Sequence, residues 1–249
     1  MKHIDTYKND SFNSKSLTSY ITEYIVKKKL DKPVDSEYHY EYHPKTKDEL
    51  IDNINELVEK NIYDFNCIDT NAITDMFNLF DEVKIKRNFN ISNWDMSNVK
   101  DMTNMFNGCK YFNCDLSDWD VSNVENMEKV FYDCESFEGK GLENWNTSNV
   151  KRMDGMFSYC VNFDGKSIEN WDVSNVQRTR NMFYKCENLD CDLSNWDVSK
   201  VKRMISMFVD CKKFEGKGLE NWNVNNVEYM QFMFDGCTSL KNKPSWYKE

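Results

Sequence analysis

Asn93-Trp94-Asp95-Met96-Ser97-Asn98-Val99 returns 25 residues on as Asp118-Trp119-Asp120-Val121-Ser122-Asn123-Val124. The same frame recurs at Trp145, Trp171, Trp196 and Trp222, so the tryptophans are 25, 26, 26, 25 and 26 residues apart. Cysteines keep step at positions 109, 134, 160, 186, 211 and 237. A fixed period of this size marks stacked repeats, because one such unit is too small to bury its apolar face alone. Upstream, Ile68-Asp69-Thr70-Asn71-Ala72-Ile73 fits the frame as a degenerate first coil. Downstream, Pro244-Ser245-Trp246 restarts it, giving seven coils from Ile68 and a closing strand at 244–247.

Two hydrophobic periods alternate within a coil. In Leu116-Ser117-Asp118-Trp119-Asp120-Val121 the apolar pair Trp119 and Val121 alternates with aspartates, the period of a strand with one buried face. Val124, Met127, Val130, Phe131 and Cys134 then follow at steps of 3, 3, 1 and 3, which predicts a short helix. Ser97, Ser122, Ser148, Ser174 and Ser199 stand where its N-cap would be, and Glu125 completes a capping box with Ser122. A return segment anchored by Phe112, Phe137, Phe163, Leu189, Phe214 or Leu240 closes each coil. The expected fold is an α/β repeat: a curved, right-handed solenoid of strand-helix coils with an N-terminal α-helical cap. Parallel strands lie about 4.8 Å apart and packed helices roughly 8–10 Å, so the strands should line the concave side.

Three regions are expected. Residues 1–36 form a helical extension, with Leu17, Tyr20, Ile21, Tyr24 and Ile25 on one face and a helix over 14–30. Residues 37–67 form a cap: a strand in which Tyr38, Tyr40 and Tyr42 alternate with polar residues, then a helix that opens on Thr46 and Glu49 and buries Leu50, Ile51, Ile54, Leu57 and Val58. Residues 68–249 are the repeat array.

The formal net charge is −10, which argues against nucleic acid or an anionic membrane as partner and makes a basic protein surface easier to accommodate. There is no signal-peptide h-region and no apolar run long enough to span a bilayer, so a soluble chain without membrane insertion is expected. Nine cysteines, an odd number with six in the repeat frame, read as reduced core residues in the cytoplasm or another reducing compartment.

Chemical motifs yield to the repeat. Gly165-Lys166-Ser167 resembles the end of a phosphate loop, but Gly139-Lys140-Gly141 and Gly216-Lys217-Gly218 show it to be a repeated turn. His39 and His43 are four residues apart in an alternating segment with no HExxH arrangement, so no metal is expected. The histidines all lie before the array, leaving no Ser/His/Asp or Cys/His nucleophile set; neither an enzyme nor a cofactor is expected.

Asn170-Trp171-Asp172-Val173-Ser174-Asn175-Val176, Met156-Phe157-Ser158-Tyr159-Cys160 and Phe112-Asn113-Cys114-Asp115-Leu116-Ser117 together resemble the BspA-like leucine-rich repeats of bacterial surface proteins. The resemblance covers about residues 44–249. It implies a leucine-rich-repeat-like solenoid used in attachment or protein recognition, with no shared catalytic residues. The chain departs from the family in lacking a secretion signal and in having Thr179 where other coils have Met.

The expected function is a non-catalytic protein-recognition scaffold. On a concave strand face, the neighbours of each tryptophan point outward: Asp95, Asp118, Asp120, Asn144, Asn146, Asn170, Asp172, Asn195, Asp197 and Asn223. Such rows suit a basic or polar partner, and equally serve the fold by bonding to turns. A competing surface is the basic stripe of Lys151, Arg152, Arg178, Arg180, Lys202 and Arg203 on the helical side. The alternative function is a structural or assembly component, such as a coat, surface or virion protein, that self-associates near Trp246 or the Tyr38 to Tyr42 segment. A third reading, carbohydrate binding along the Asx rows, would need exposed aromatics.

Overall fold

A computed structural model describes residues 40–83 and 85–248. The helical extension 1–36, Tyr38 and His39 lie outside the described residues. Helix α1 (Lys47–Glu59) is set by its N-terminus: Thr46 is extended and its Oγ1 accepts from the Glu49 amide at 3.2 Å, while the Glu49 carboxylate reaches back to the Lys45 amide at 2.6 Å. It buries Leu50, Ile51, Ile54 and Leu57, and its Lys47 ammonium donates to the Phe77 carbonyl at 2.6 Å, tying the helix to the first coil.

From Ile68 onward the α/β expectation fails. No multi-residue strand forms among the described residues; successive coils meet only through isolated parallel bridges. The segment expected as a strand is a turn, with the Trp119 amide donating to the Leu116 carbonyl at 3.2 Å, followed by a second turn from Val124 to Val121 at 2.9 Å. The segment expected as a helix is two further turns, closed by Val130 to Met127 at 3.4 Å and by Cys134 to Phe131 at 3.1 Å. Their third residues, Lys129 and Asp133, have φ of 54° and 58°. That is the left-handed region a type II turn requires and a right-handed helix cannot enter.

Both left-handed positions recur in register. The first holds Asn78, Asn104, Lys129, Gly155, Asn181, Ser206 and Phe232; the second holds Gly108, Asp133, Tyr159, Lys185, Asp210 and Gly236. Only the first coil substitutes a helical turn, α2 (Leu79–Val83), and short 3-10 turns occur at Leu142–Asn144, Lys166–Ile168 and Leu219–Asn221. The expected N-cap serines therefore cap nothing. The Ser122 amide instead donates to Asp120 Oδ1 at 3.1 Å.

Two systems join each coil to the next. On one side, the amides of Met127, Lys129, Phe131 and Asp133 donate to the carbonyls of Arg152, Asp154, Met156 and Ser158 at 2.8–2.9 Å. The same four bonds recur at every step from segment 101–108 to segment 229–236, forming an amide ladder. On the other side, the indole N–H of all seven tryptophans donates to a backbone carbonyl 27 to 29 residues earlier, at 2.7–3.1 Å, as from Trp171 to Leu142.

Between them lies the core. Phe106, Phe131, Phe157, Phe183, Phe208 and Phe234 stack with centroids 5.5–5.8 Å apart, against 6.0–6.5 Å for paired tryptophan rings. Spacing is thus tighter beneath the ladder than at the tryptophans, the reverse of a concave tryptophan side. The cysteines sit beside this stack, and their thiols do more than fill space. Cys160 Sγ donates to the Phe131 carbonyl at 2.9 Å, which also accepts the Cys134 amide. Buried Thr179 keeps the ladder bond to the Arg203 carbonyl and adds a hydroxyl bond to it at 3.3 Å.

The 25/26 alternation has a local cause. Phe137 and Trp145 are eight residues apart, whereas Phe112 and Trp119 are seven. Each longer coil carries a left-handed glycine in this stretch, Gly139, Gly165 or Gly216, and in the first of them Gly141, with φ of 90°, packs so closely on the preceding coil that a Cβ there would lie 2.2 Å from the Ser117 amide nitrogen.

Candidate recognition face

The Asx rows beside the tryptophans are exposed, but they work within the fold. Asp95, Asp120, Asn146, Asp172, Asp197 and Asn223 each accept from the amide two residues on, at 2.9–3.3 Å, as Asx-turns. The two Ser199 bonds hold the Asp197 carboxyl below its ordinary range. Asn144 Nδ2 donates to the Ser117 carbonyl at 3.3 Å, and Asn195 Nδ2 to Asn170 Oδ1 at 3.0 Å. Asp118 is exposed beside Trp119. Next to these rows a further ladder runs from Asn123, Asn149 and Asn175 Nδ2 to the carbonyls of Ser97, Ser122 and Ser148 at 2.7–2.8 Å. The structure brings these residues together as rows, on turns rather than on strands.

The basic residues lie on the amide ladder. Arg152, Arg178 and Arg203 occupy its first position in successive coils, joined by parallel bridges. Lys151 pairs with Glu125 at 2.6 Å, Arg152 with Glu128, and Arg178 Nε with Asp154 Oδ2 at 2.8 Å. Burial pushes the Asp154 carboxyl above the usual range, against the pull of Arg178. Arg180, Lys202 and Arg203 are exposed, and among the described residues none pairs with a carboxylate; Arg203 lies over the Tyr229 ring at 5.5 Å.

Beside these cations runs a tyrosine ridge that the sequence reading missed. Tyr132 and Tyr159, and Tyr159 and Tyr184, pack with centroids 5.4 Å apart. Lys129 lies over Tyr132, and Lys185 over both Tyr159 and Tyr184, at 5.3–5.8 Å. Burial, then the neighbouring Tyr159, raises the Tyr132 hydroxyl pKa. The available signal was a tyrosine one or two residues before Cys134, Cys160 and Cys186.

His43 Nδ1 lies 3.2 Å from Asp69 Oδ2, and no group of three potential ligands is placed to hold a metal among the described residues. Lys166, in the phosphate-loop lookalike, pairs with Asp164 at 3.2 Å. No helix among the described residues is long and apolar enough to cross a membrane.

No curated protein and no solved structure is similar to the chain. A family of Mycoplasma proteins of unknown function, DUF285, matches it twice, over residues 48–164 and 136–247. With those two overlapping matches spanning cap helix and repeats alike, the chain belongs to the Mycoplasma proteins of unknown function, DUF285.

Proposed function

We propose that the chain is a non-catalytic recognition scaffold that binds a protein partner through the amide-ladder face. The observation that carries this reading is variation on a fixed frame. Along the first ladder position the residues run Asp75, Asp101, Asn126, Arg152, Arg178, Arg203 and Tyr229, while a tryptophan stands unchanged in every one of these coils but the first, which has Ile68. Surfaces that vary over a rigid repeating support are how stacked-repeat proteins present binding sites. The resemblance of the motifs to BspA-like repeats, with the attachment role it implies, agrees. The buried thiols suit a reducing compartment such as the cytoplasm.

The test compares proteins retained by the immobilised chain and by two triple variants. Arg180→Glu/Lys202→Glu/Arg203→Glu alters the ladder face and keeps both Arg178 and the Arg180 amide that bonds Asp154; Asp120→Lys/Asp172→Lys/Asp197→Lys alters the tryptophan side, with the melting curve of each variant as folding control. Loss in the first variant alone supports the reading. Loss in the second alone moves the site to the Asx rows, and equal retention by both removes it from either surface.

A second reading, an assembly component such as a coat or virion protein, draws on the last ladder segment. Tyr229 and Phe232 there are 43% and 62% exposed. Light scattering across a concentration series decides it: mass rising with concentration, and falling in Phe232→Asn, supports self-association.

A further inference from the structure

Building on the ladder-face reading, we propose that its partner is an acidic, extended polypeptide segment, gripped by Arg180, Lys202 and Arg203 and laid along the tyrosine ridge.

Charge is the first argument. The chain carries a net −10, yet three exposed cations gather in two adjacent coils with no carboxylate partner among the described residues. The fold does not need them there, because the coils are joined at this face by main-chain bonds that any side chain permits. Their neighbours Arg152 and Arg178 are, by contrast, each neutralised by a carboxylate of the preceding coil.

Shape is the second. Gly155 holds the left-handed slot that Lys129 and Asn181 hold in the coils on either side. A Cβ at Gly155 would stand 3.1 Å from Lys129 Cγ, 3.5 Å from Ser158 Oγ and 3.8 Å from the Tyr132 ring, so the missing side chain lets Lys129 lie down over buried Gly155 beside the ridge and keeps the face low there. Coils 5.5–5.8 Å apart mean that a segment crossing four of them needs roughly five to seven residues at about 3.3 Å per residue.

The same face disfavours a uniform polyanion. Arg152 and Arg178 are already neutralised by Glu128 and Asp154, so unpaired positive charge is confined to Arg180, Lys202 and Arg203, which suits a few separated acidic side chains better than a continuous run. The tyrosine rings pack on each other under lysines, which leaves their faces unavailable for stacking nucleic-acid bases.

The experiment uses the whole chain and a fluorescent nine-residue peptide with glutamate at alternate positions and leucine or serine between. Its lysine-for-glutamate counterpart, heparin and an oligothymidine are the comparison probes, all read by anisotropy at low salt. The acidic peptide is expected to bind, to weaken as salt rises, and to lose roughly tenfold or more in affinity in Arg180→Gln/Lys202→Gln/Arg203→Gln. Tyr159→Asn should weaken it independently, with the melting curve of each variant as the folding control.

Failure of the acidic peptide to bind, equal binding of both peptides, or binding unchanged in the triple variant overturns the proposal. Preference for heparin or oligothymidine, lost in the triple variant, also overturns it and assigns the cations to a polyanion. If the lysine peptide binds instead and is lost in ladder-face variants, the acidic class falls while ladder-face recognition stands. If no probe is affected by any ladder-face variant, both fall.

Discussion

The tryptophan side and the ladder side of each coil join the same neighbours by opposite means. On the tryptophan side, side chains reach across to backbone: indoles to Leu or Ile carbonyls, asparagine amides to serine carbonyls. Every such bond needs a particular residue, so the sequence there can hardly change. On the ladder side, backbone reaches to backbone, four bonds a step, and the outward side chains are left unconstrained by the pairing. A repeat protein can therefore hold one face fixed in sequence and leave the other free to be selected for binding, within the same stack.

Alkali should probe this division most strongly, because the thiols packed beneath the ladder are titratable. Burial pushes the Cys109 and Cys237 thiols up to about 12, from an ordinary value of 9.0, and raises Cys134, Cys186 and Cys211 well above it. The folded state keeps protons that the unfolded chain releases, so stability is full below pH 9.0 and falls as pH rises toward 12. Each such thiol contributes a slope on the order of 1.4 kcal/mol per pH unit across that window. Urea midpoints measured from neutral to alkaline pH should show the decline, and Cys160→Ser should lessen it by one thiol's share. A flat profile would mean that the thiols are not sequestered.

Trp171→Ala should cost roughly 3–5 kcal/mol in chemical unfolding, from lost aromatic burial. Trp171→Phe should cost about 1–3 kcal/mol, from the smaller ring and the loss of the indole bond to the Leu142 carbonyl, which keeps only the Trp145 amide. A negligible cost for Trp171→Phe would mean that packing alone, and not side-chain-to-backbone bonding, distinguishes the tryptophan side.

The glycines give a finer test. Gly141→Ala forces a methyl against Ser117 backbone, while Gly108→Ala meets nothing within 4 Å and must only bear its positive φ. The second should cost about 1 kcal/mol and the first clearly more, by thermal unfolding. Smallest of all, Arg180→Gln and Lys202→Gln should each change stability by less than about 0.5 kcal/mol in the same assay. A larger loss would show that the ladder face is not free of structural duty.

The period was legible because the tryptophans and six of the nine cysteines keep one repeat position each, and the cap helix because Thr46 and Glu49 stand at the spacing that closes its first turn. The character of the coil was not. Apolar residues three apart, as in Val124, Met127 and Val130, suit one face of a helix and equally suit successive four-residue turns. Backbone sign decides between them, and few residues declare it. Gly108, Gly155 and Gly236 do, but Lys129, Tyr159, Ser206 and Phe232 hold the same left-handed slots without any sign of it in their chemistry. The candidate face was half legible. Arg152, Arg178 and Arg203 share a repeat position and could be aligned, whereas Tyr159 sits one position later than Tyr132 and Tyr184, so the ridge appears only once the turns bring them together. The Asx rows were visible as rows; their employment as turn acceptors depended on turns that had been read as strands.

The ladder also bears on how such a chain can change length. Each segment from 126–133 to 203–210 hands on through four amides what it receives through four carbonyls, so these inner coils present matching upper and lower surfaces. Recombination that excises or duplicates one whole repeat in frame would rejoin surfaces that already fit. The extra residue of the longer coils is taken up in the return segment, away from the ladder, so repeats of either length can be exchanged. A gene built this way can shuffle the order of its outward residues by unequal crossing-over, generating new faces without first having to solve a new fold.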